Sequence, residues 1–333
     1  MKSSLDKYKK DLEGKKVLVT GGTGMIGREI VDKLCKQDCI VTSVSLDDLN
    51  LNNKAKYIKG DLSDLNFCLD ITNRIDYVFH VAGIKGSIVK TKTMPSSFFV
   101  PLIMMNTNVL ESCRRNNVKK IVYTSSIGAY SSSDIFYEDE EKFEKPPMDL
   151  FPGWAKRMAE LQIETYNLQY KHNNFSIIRP SNVYGPGDNF DDENAMVIPS
   201  LMNKIFRGDN PVSIWGDGSA ERDFIFSKDC AEGIIIACLE GTESKALNMG
   251  SGVGVSIKKL VETMKEVIDF NYEFDTTKPS GYPKRIMNMD KTKKNLNFDL
   301  HYSLKEGIEI TWNWFIKNNK EYLLRKNYFK NEK

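Results

Sequence analysis

The run KVLVT at residues 16–20 ends directly in glycines, the helical pattern MIGREIVDKLCKQ follows, and then comes a second β-branched run, IVTSV. Strand, glycine turn, helix and strand make a βαβ unit. No other stretch limits the fold as much, because two parallel strands need a crossover that covers one face of their sheet. The rhythm continues. AKYIKGD and DYVFHVAG read as strands, SSFFVPLIMMNTNVLESCRRNN as a helix, and KKIVYTSS as a strand. WAKRMAELQIETYNLQYKH then reads as a long amphipathic helix and NFSIIRP as a strand. Six strands separated by helices predict an α/β fold, a Rossmann-type doubly wound parallel sheet covered on both faces. After Pro180 the loops lengthen and fill with Gly, Pro and Asp (NVYGPGDNFDDEN, IWGDGSAERD). These predict a smaller, mixed α/β region on the substrate side, beyond the carboxyl ends of the strands.

VTGGTGMIG places Gly21, Gly24 and Gly27 between the first strand and its helix. Gly21 permits the tight turn, Gly24 lets backbone N–H groups approach a pyrophosphate, and Gly27 allows close helix–strand packing. With the positive helix N-terminus this is a dinucleotide site, to which Thr23, Met25 and Ile26 also belong. The second strand ends in TSVSLDD, and a carboxylate there would bind ribose hydroxyls and repel a 2′-phosphate. Asp47 lies 20 residues after Gly27, with no Arg or Lys before Lys54, so NAD is expected rather than NADP. Asp48, a solvated turn, or Ser45 by strict register are the alternatives. Asp61 and Leu62 follow the third strand. Asp61 could accept from an adenine amino group or be an ordinary N-cap.

The 47 Lys+Arg against 45 Asp+Glu leave a net charge of +2, which gives no footprint for nucleic acid. No stretch approaches about 20 apolar residues, so no membrane span is expected, and the first fifteen residues are too polar for a signal peptide. Six cysteines without a CxxC pair fit a cytoplasmic protein with free, buried thiols. Three histidines are too few for a His-based metal cluster, and His80, inside YVFHVAG, reads as a packing residue. The expected organisation is an extension over 1–14, the dinucleotide-binding domain over 15–180, a mainly substrate-binding region over 181–318 with segments returning to the sheet, and a charged tail over 319–333 that frays.

TGxxGxxG, then GDL, HVAG, YTSS, a helix carrying Lys156, RPSNVYGPGD and RDFIFSKD together resemble the extended short-chain dehydrogenase/reductase, or NAD-dependent epimerase/dehydratase, family over residues 15 to 318. The resemblance implies a nucleotide sugar held beside a nicotinamide, with hydride exchange at C4 of the sugar. It adds Ala82, Gly83, Lys156 and Pro180 to the cofactor set. GPGDNFDDENAMVIPSL and KPSGYPKR are similar to the GDP-fucose synthase branch, which implies a GDP-linked sugar at Asn182, Val197, Leu201, Trp215 and Arg222. Arg222 could grip a diphosphate or be a surface ion-pair partner. Trp215 could stack on guanine or be core.

In the family's mechanism a tyrosinate takes a proton from a sugar hydroxyl, a lysine one helical turn later acidifies the phenol, and a serine aligns it. Ser126 and Lys156 match the serine and the lysine, whereas Pro152 stands at the tyrosine position, next to Phe151. The branch's epimerising cysteine and histidine correspond to Gly128 and Met196. Neither moves a proton, so 3,5-epimerisation is not expected. The resemblance therefore implies a dehydrogenase making a 4-keto GDP-sugar of manno configuration, hexose or heptose, similar to the GDP-manno-heptose 4-dehydrogenases of capsule polysaccharide pathways. Proton release would run through Ser126 and a water, or through Tyr137. A 4-epimerase, a 4-keto reductase and a non-catalytic NAD-binding regulator stay open. Helices over about 97–116 and 153–171 match the four-helix interface of family homodimers, and FFVPLIMMNTNVL is apolar enough for it.

Overall fold

The computed structural model describes residues 4–140 and 144–325. One parallel sheet contains β1 (Lys16–Thr20), β2 (Ile40–Ser45), β3 (Lys56–Lys59), β4 (Tyr77–His80), β5 (Lys120–Thr124), β6 (Phe175–Pro180) and β7 (Ala246–Met249). Their order is β7-β6-β5-β4-β1-β2-β3, with every pairing parallel. The doubly wound expectation is met, with one strand, β7, beyond the six that the sequence suggested. Strand order reverses between β1 and β4, which opens a crevice at their carboxyl ends.

Successive side chains point to opposite faces. Val17 and Val19 of β1, Phe79 of β4, Val122 of β5 and Ile178 of β6 enter one core. Leu18, Val78, Ile121 and Ile177 enter the other. Helices α1 (Met25–Lys36) and α5 (Ser227–Glu240) bring Ile30, Leu34, Ile234 and Ile235 to the first core. The second is covered by α2 (Leu65–Thr72), α3 (Ser96–Arg115) and α4 (Leu150–Tyr170), through Cys68, Leu102, Val109, Ala159 and Ile163. Ile234, Ile235 and Ile236 of α5 are all buried, as expected of a helix enclosed on every side. Residues 4–12 of the N-terminal extension pack onto the sheet. Leu5, Tyr8 and Leu12 are buried in the first core, where each apolar side chain contributes roughly 1.5–3 kcal/mol.

The substrate-side region is built from Asn182–Tyr184, Glu221–Phe226, Gly254–Ser256, Lys284–Met287 and Ile135–Phe136 in a second sheet, and from a parallel pair, Val212–Trp215 with Tyr272–Asp275. Its core holds Phe190, Leu201, Phe224, Val261 and Phe315, with Phe190 and Phe315 stacked at 4.0 Å between ring centroids. The buried Asp223 carboxylate ties this region to the parallel sheet. It accepts from the amides of Ser251 (2.7 Å), Gly252 (3.0 Å) and Met287 (3.2 Å), and from the Ser181 hydroxyl just after β6 (3.2 Å). Helix α6 (Leu304–Asn318) starts with a Ser303/Glu306 capping box. Glu321–Leu324 form a 3-10 turn and Arg325 packs into the crevice, whereas 326–333 lie outside the described residues. Among the described residues no helix is long and apolar enough to cross a membrane.

Candidate active site

Backbone sterics fix the glycine turn. Gly21 has φ +70°, and a Cβ there would lie 2.8 Å from Ala82 Cα, so β1 can turn beside β4 only without a side chain. A Cβ on Gly27 would lie 2.7 Å from Gly22 Cα, so α1 can rest on the turn only there. Helix α1 starts at Met25, with Gly24 as N-cap and no side-chain cap. Its first amides therefore face the crevice with no partner from the helix, an arrangement suited to an anion.

A cavity of about 390 Å³ is lined both by this turn and by the start of α4, a size typical of small-molecule sites. Of the residues singled out in the sequence, Gly21, Gly24, Met25, Ile26, Gly27, Gly83, Ser126, Lys156, Pro180, Asn182 and Val197 line it. The tight turn, the uncapped α1 and the lysine together fit a dinucleotide, because a Cβ at Gly24 would meet only the Gly21 carbonyl oxygen, at 3.1 Å, so the backbone there lies open to a pyrophosphate. Thr23 and Asp47 stand just behind the turn. The Thr23 hydroxyl donates to Asp47 Oδ2 at 2.9 Å and lies 2.9 Å from Ser45 Oγ, so both alternatives at the end of β2 meet the same group. Ala82 packs against Gly21, and Leu62 is buried in the second core. Asp61 Oδ1 accepts from the Ser63 amide at 2.9 Å, a local turn bond. Asp48 pairs with Lys59 at the surface.

On the sugar side the placements diverge. The Asn182 amide donates to the Asp223 carbonyl at 2.9 Å and borders the cavity. Leu201 is core, and Trp215 is 53% exposed at a strand end outside the lining. Arg222 also lies beyond the lining. Burial, and then the neighbouring Arg285 charge, lower its pKa to about 10. Two neighbouring guanidiniums suit a diphosphate. Arg285 itself lines the cavity. It sits in KPSGYPKR, a segment noticed in the sequence without this residue being singled out.

Ser126 and Lys156 come together where α4 meets the turn after β5. Lys156 Nζ donates to the Thr124 carbonyl at 2.7 Å and lies 5.1 Å from the centre of the Tyr123 ring. Burial lowers its pKa to about 8, opposed by Glu160. Ser126 Oγ accepts from the Gly128 amide at 3.0 Å, which leaves its proton free for the cavity. Pro152 and Met196 line the same cavity. Gly128 is more than a missing thiol. A Cβ there would lie 2.6 Å from Asp149 Cγ, so the glycine makes room for the Asp149 carboxylate at the N-terminus of α4. Asp149 lines the cavity and lies 3.4 Å from Arg285 Nη1. Sequence reading missed it, and only the absent side chain at Gly128 signals it. Tyr137 is outside the lining, and the buried Tyr130 hydroxyl donates to Asn248 at 2.7 Å. His80 accepts from the Thr20 hydroxyl at 2.8 Å, and its other nitrogen donates to Asn106 Oδ1 at 3.0 Å. Burial, then the Lys156 charge, push its pKa down to about 3, so it is neutral and structural.

The family model described as the NAD dependent epimerase/dehydratase family matches residues 17–250. Among curated relatives, a GDP-L-fucose synthase of Sinorhizobium fredii is 28% identical over 316 residues, covering 92% of this chain and 97% of that one. A putative UDP-glucose 4-epimerase of Methanocaldococcus jannaschii is 31% identical over 312 residues, covering 91% and 99%. Among solved structures, a GDP-L-fucose synthetase from Naegleria fowleri bound to NADP aligns with a TM-score of 0.78 at 25% identity, over 92% of this chain and 94% of that one. MoeE5 in complex with UDP-glucuronic acid and NAD also aligns with a TM-score of 0.78 at 25% identity, over 91% and 99%.

Proposed function

The chain belongs to the NAD-dependent epimerase/dehydratase family, and from that membership we propose that it is an NAD-dependent oxidoreductase acting at C4 of a GDP-linked, manno-configured sugar. The product is a 4-keto nucleotide sugar, and C3 and C5 keep their configuration. One observation carries this reading. Around a single cavity Ser126 and Lys156 are kept, while Pro152, Gly128 and Met196 stand where the resemblance implies tyrosine, cysteine and histidine. Asp47 beside the glycine turn favours NAD, and the paired Arg222 and Arg285 favour a diphosphate-linked sugar.

A bound pyridine dinucleotide would supply the acceptor for the hydride that leaves C4. The chain's residues do the rest. Lys156, on α4, would hydrogen-bond the ribose hydroxyls of that dinucleotide. Ser126 donates its free hydroxyl proton to the C4 oxygen and orients it. The proton leaving that hydroxyl passes to the Asp149 carboxylate, directly or through water, and the C4–O bond becomes a carbonyl. A carboxylate is a weaker base than a phenolate, so turnover is slow. The test mixes the protein with NAD and a GDP-mannose-type sugar and follows absorbance of the reduced nicotinamide. Asp149→Asn and Ser126→Ala should each slow it. A wild-type protein that reduces no cofactor and changes no sugar would refute the reading. The 4-epimerase relative favours a second reading, in which hydride returns to C4 and no reduced cofactor accumulates.

The same family reading supports a homodimer through α3 and α4. Val100, Met104, Phe151 and Met158 are 43–51% exposed there, and Phe99, Phe151, Trp154 and Met158 line a shallow apolar groove. Met158→Glu should halve the mass measured by light scattering.

A further inference from the structure

Arg325 lines the same cavity as Gly21 and Gly24, although it lies about 300 residues further along the chain. Its Nη1 donates to the Gly187 carbonyl at 2.6 Å and its Nη2 to Glu321 Oε1 at 2.8 Å. Arg28, the residue after the last fingerprint glycine, pairs with the same Glu321 and donates to the Thr23 carbonyl at 3.1 Å. It also packs under Gly187, where a Cβ would lie 2.7 Å from Arg28 Nη2, and its guanidinium carbon lies 5.2 Å from the centre of the Trp314 ring. Two guanidiniums thus share one carboxylate beside the turn, and the Nε of each is buried with no partner. Asp47, the next carboxylate nearby, is already engaged by the Thr23 hydroxyl and the Leu49 amide. Burial and the Arg28 charge lower the pKa of Arg325. A half-buried guanidinium crowded by a second cation is costly to hold unless an anion completes it.

Resting on the reading that the cavity takes a pyridine dinucleotide, we propose that Arg325 is a phosphate-binding residue of that site, carried into it by the segment that follows α6. The chemistry recognised is a phosphate, which has two sources: the pyrophosphate common to both dinucleotides, or the 2′-phosphate of NADP alone. No Arg or Lys follows Asp47 before Lys54, and this arginine arrives instead from the far end of the chain. Lysine would keep the charge and lose the fork that lets one side chain hold Gly187, Glu321 and a phosphate together.

The experiment titrates the full-length protein with NADH and with NADPH, read by nicotinamide fluorescence, for the wild type, Arg325→Gln and Arg325→Lys. Adenosine, which carries no phosphate, is the control ligand. Arg325→Gln should weaken dinucleotide binding at least tenfold, flatten its salt dependence and leave adenosine binding unchanged, with Arg325→Lys intermediate. Equal losses for both dinucleotides assign the pyrophosphate, and a loss confined to NADPH assigns the 2′-phosphate. Unchanged affinity for both overturns the proposal, as does an equal loss of adenosine binding, which would make the arginine structural. A wild type that binds neither dinucleotide refutes the cofactor reading itself and the proposal with it.

Discussion

The two ends of the cleft are held by different forces. At the glycine turn, backbone meets backbone: Gly21 against Ala82 and Gly27 against Gly22 leave no room for a single carbon. At the corner that holds Ser126 and Lys156, side chains meet open space: Pro152, Gly128 and Met196 border a cavity, and the helix beneath them keeps its place. Proline suits a helix's first turn, where its missing N–H would have had no partner. The fold therefore defends its dinucleotide end and is indifferent to the chemistry at the other. A protein of this kind can lose an acid or a base without losing its shape.

The largest expected effect comes from breaking the defended end. Gly27→Ala puts a carbon into the contact between turn and helix, and neither backbone can rotate away. We expect loss of roughly 1–3 kcal/mol of stability by thermal melting, as for other overpacked sites, and no measurable dinucleotide binding. Retained affinity in a folded variant would show that the turn is softer than its geometry implies. At the other end, Asp149→Asn should leave melting and dinucleotide affinity alone and lower turnover by about 10²-fold, the low end of general-base losses. Equal melting with unequal turnover is the contrast that separates the two ends.

How much of this was legible in the sequence follows the same division. Strands β1 to β6 and helices α1, α3 and α4 announce themselves through local sequence pattern, because all but the edge strand β3 bury residues along their length. Strand β7 does not. ALNM has no β-branched residue, and its extended form comes from pairing with β6. The two- to six-residue strands of the substrate side are likewise set by distant partners. The glycine turn is legible because sterics tie each glycine to a fixed spacing. Asp149 is not, since it becomes a cavity residue only when the start of α4 folds over Gly128. Arg325 is not, since nothing near it in the chain mentions the turn. Trp215 and Arg222 are legible only by resemblance, and the cavity around Ser126 does not include them.

Lys156 links the ends and gives a smaller, pH-dependent effect. Its pKa in the folded chain is about 8, below the ordinary lysine value, because burial disfavours the ammonium. Between pH 8 and the unfolded value the unfolded chain binds more protons, so this group makes stability rise with pH across that window. Below pH 8 the cost of the buried charge is fully present. Lys156→Met should remove the slope and stabilise the protein by about 1–3 kcal/mol at neutral pH, read as the difference between urea-unfolding curves. The same variant should bind dinucleotide more weakly. Parallel curves for the two proteins from pH 7 to 10 would mean that the ammonium is better solvated than its position suggests.

Pro152→Tyr should do least, and for an instructive reason. It returns a phenol to the first turn of α4, one helical turn before Lys156 and near Ser126, at a small cost for one more unpaired amide. The lysine's charge would acidify that phenol, but Asp149, three residues earlier on the same helix end, would oppose it, and the two groups would compete for one proton. We expect turnover to change by less than about tenfold in either direction. The stereochemistry should not change at all. Epimerisation at C3 and C5 needs groups that exchange the C–H protons next to the new carbonyl, and Gly128 and Met196 offer none. With the reaction run in D2O, mass spectrometry of the sugar should find no deuterium at C3 or C5 for wild type or variant. Deuterium at either carbon would mean that Asp149 or a bound water reaches that face, and the corner would then be re-equipped rather than stripped.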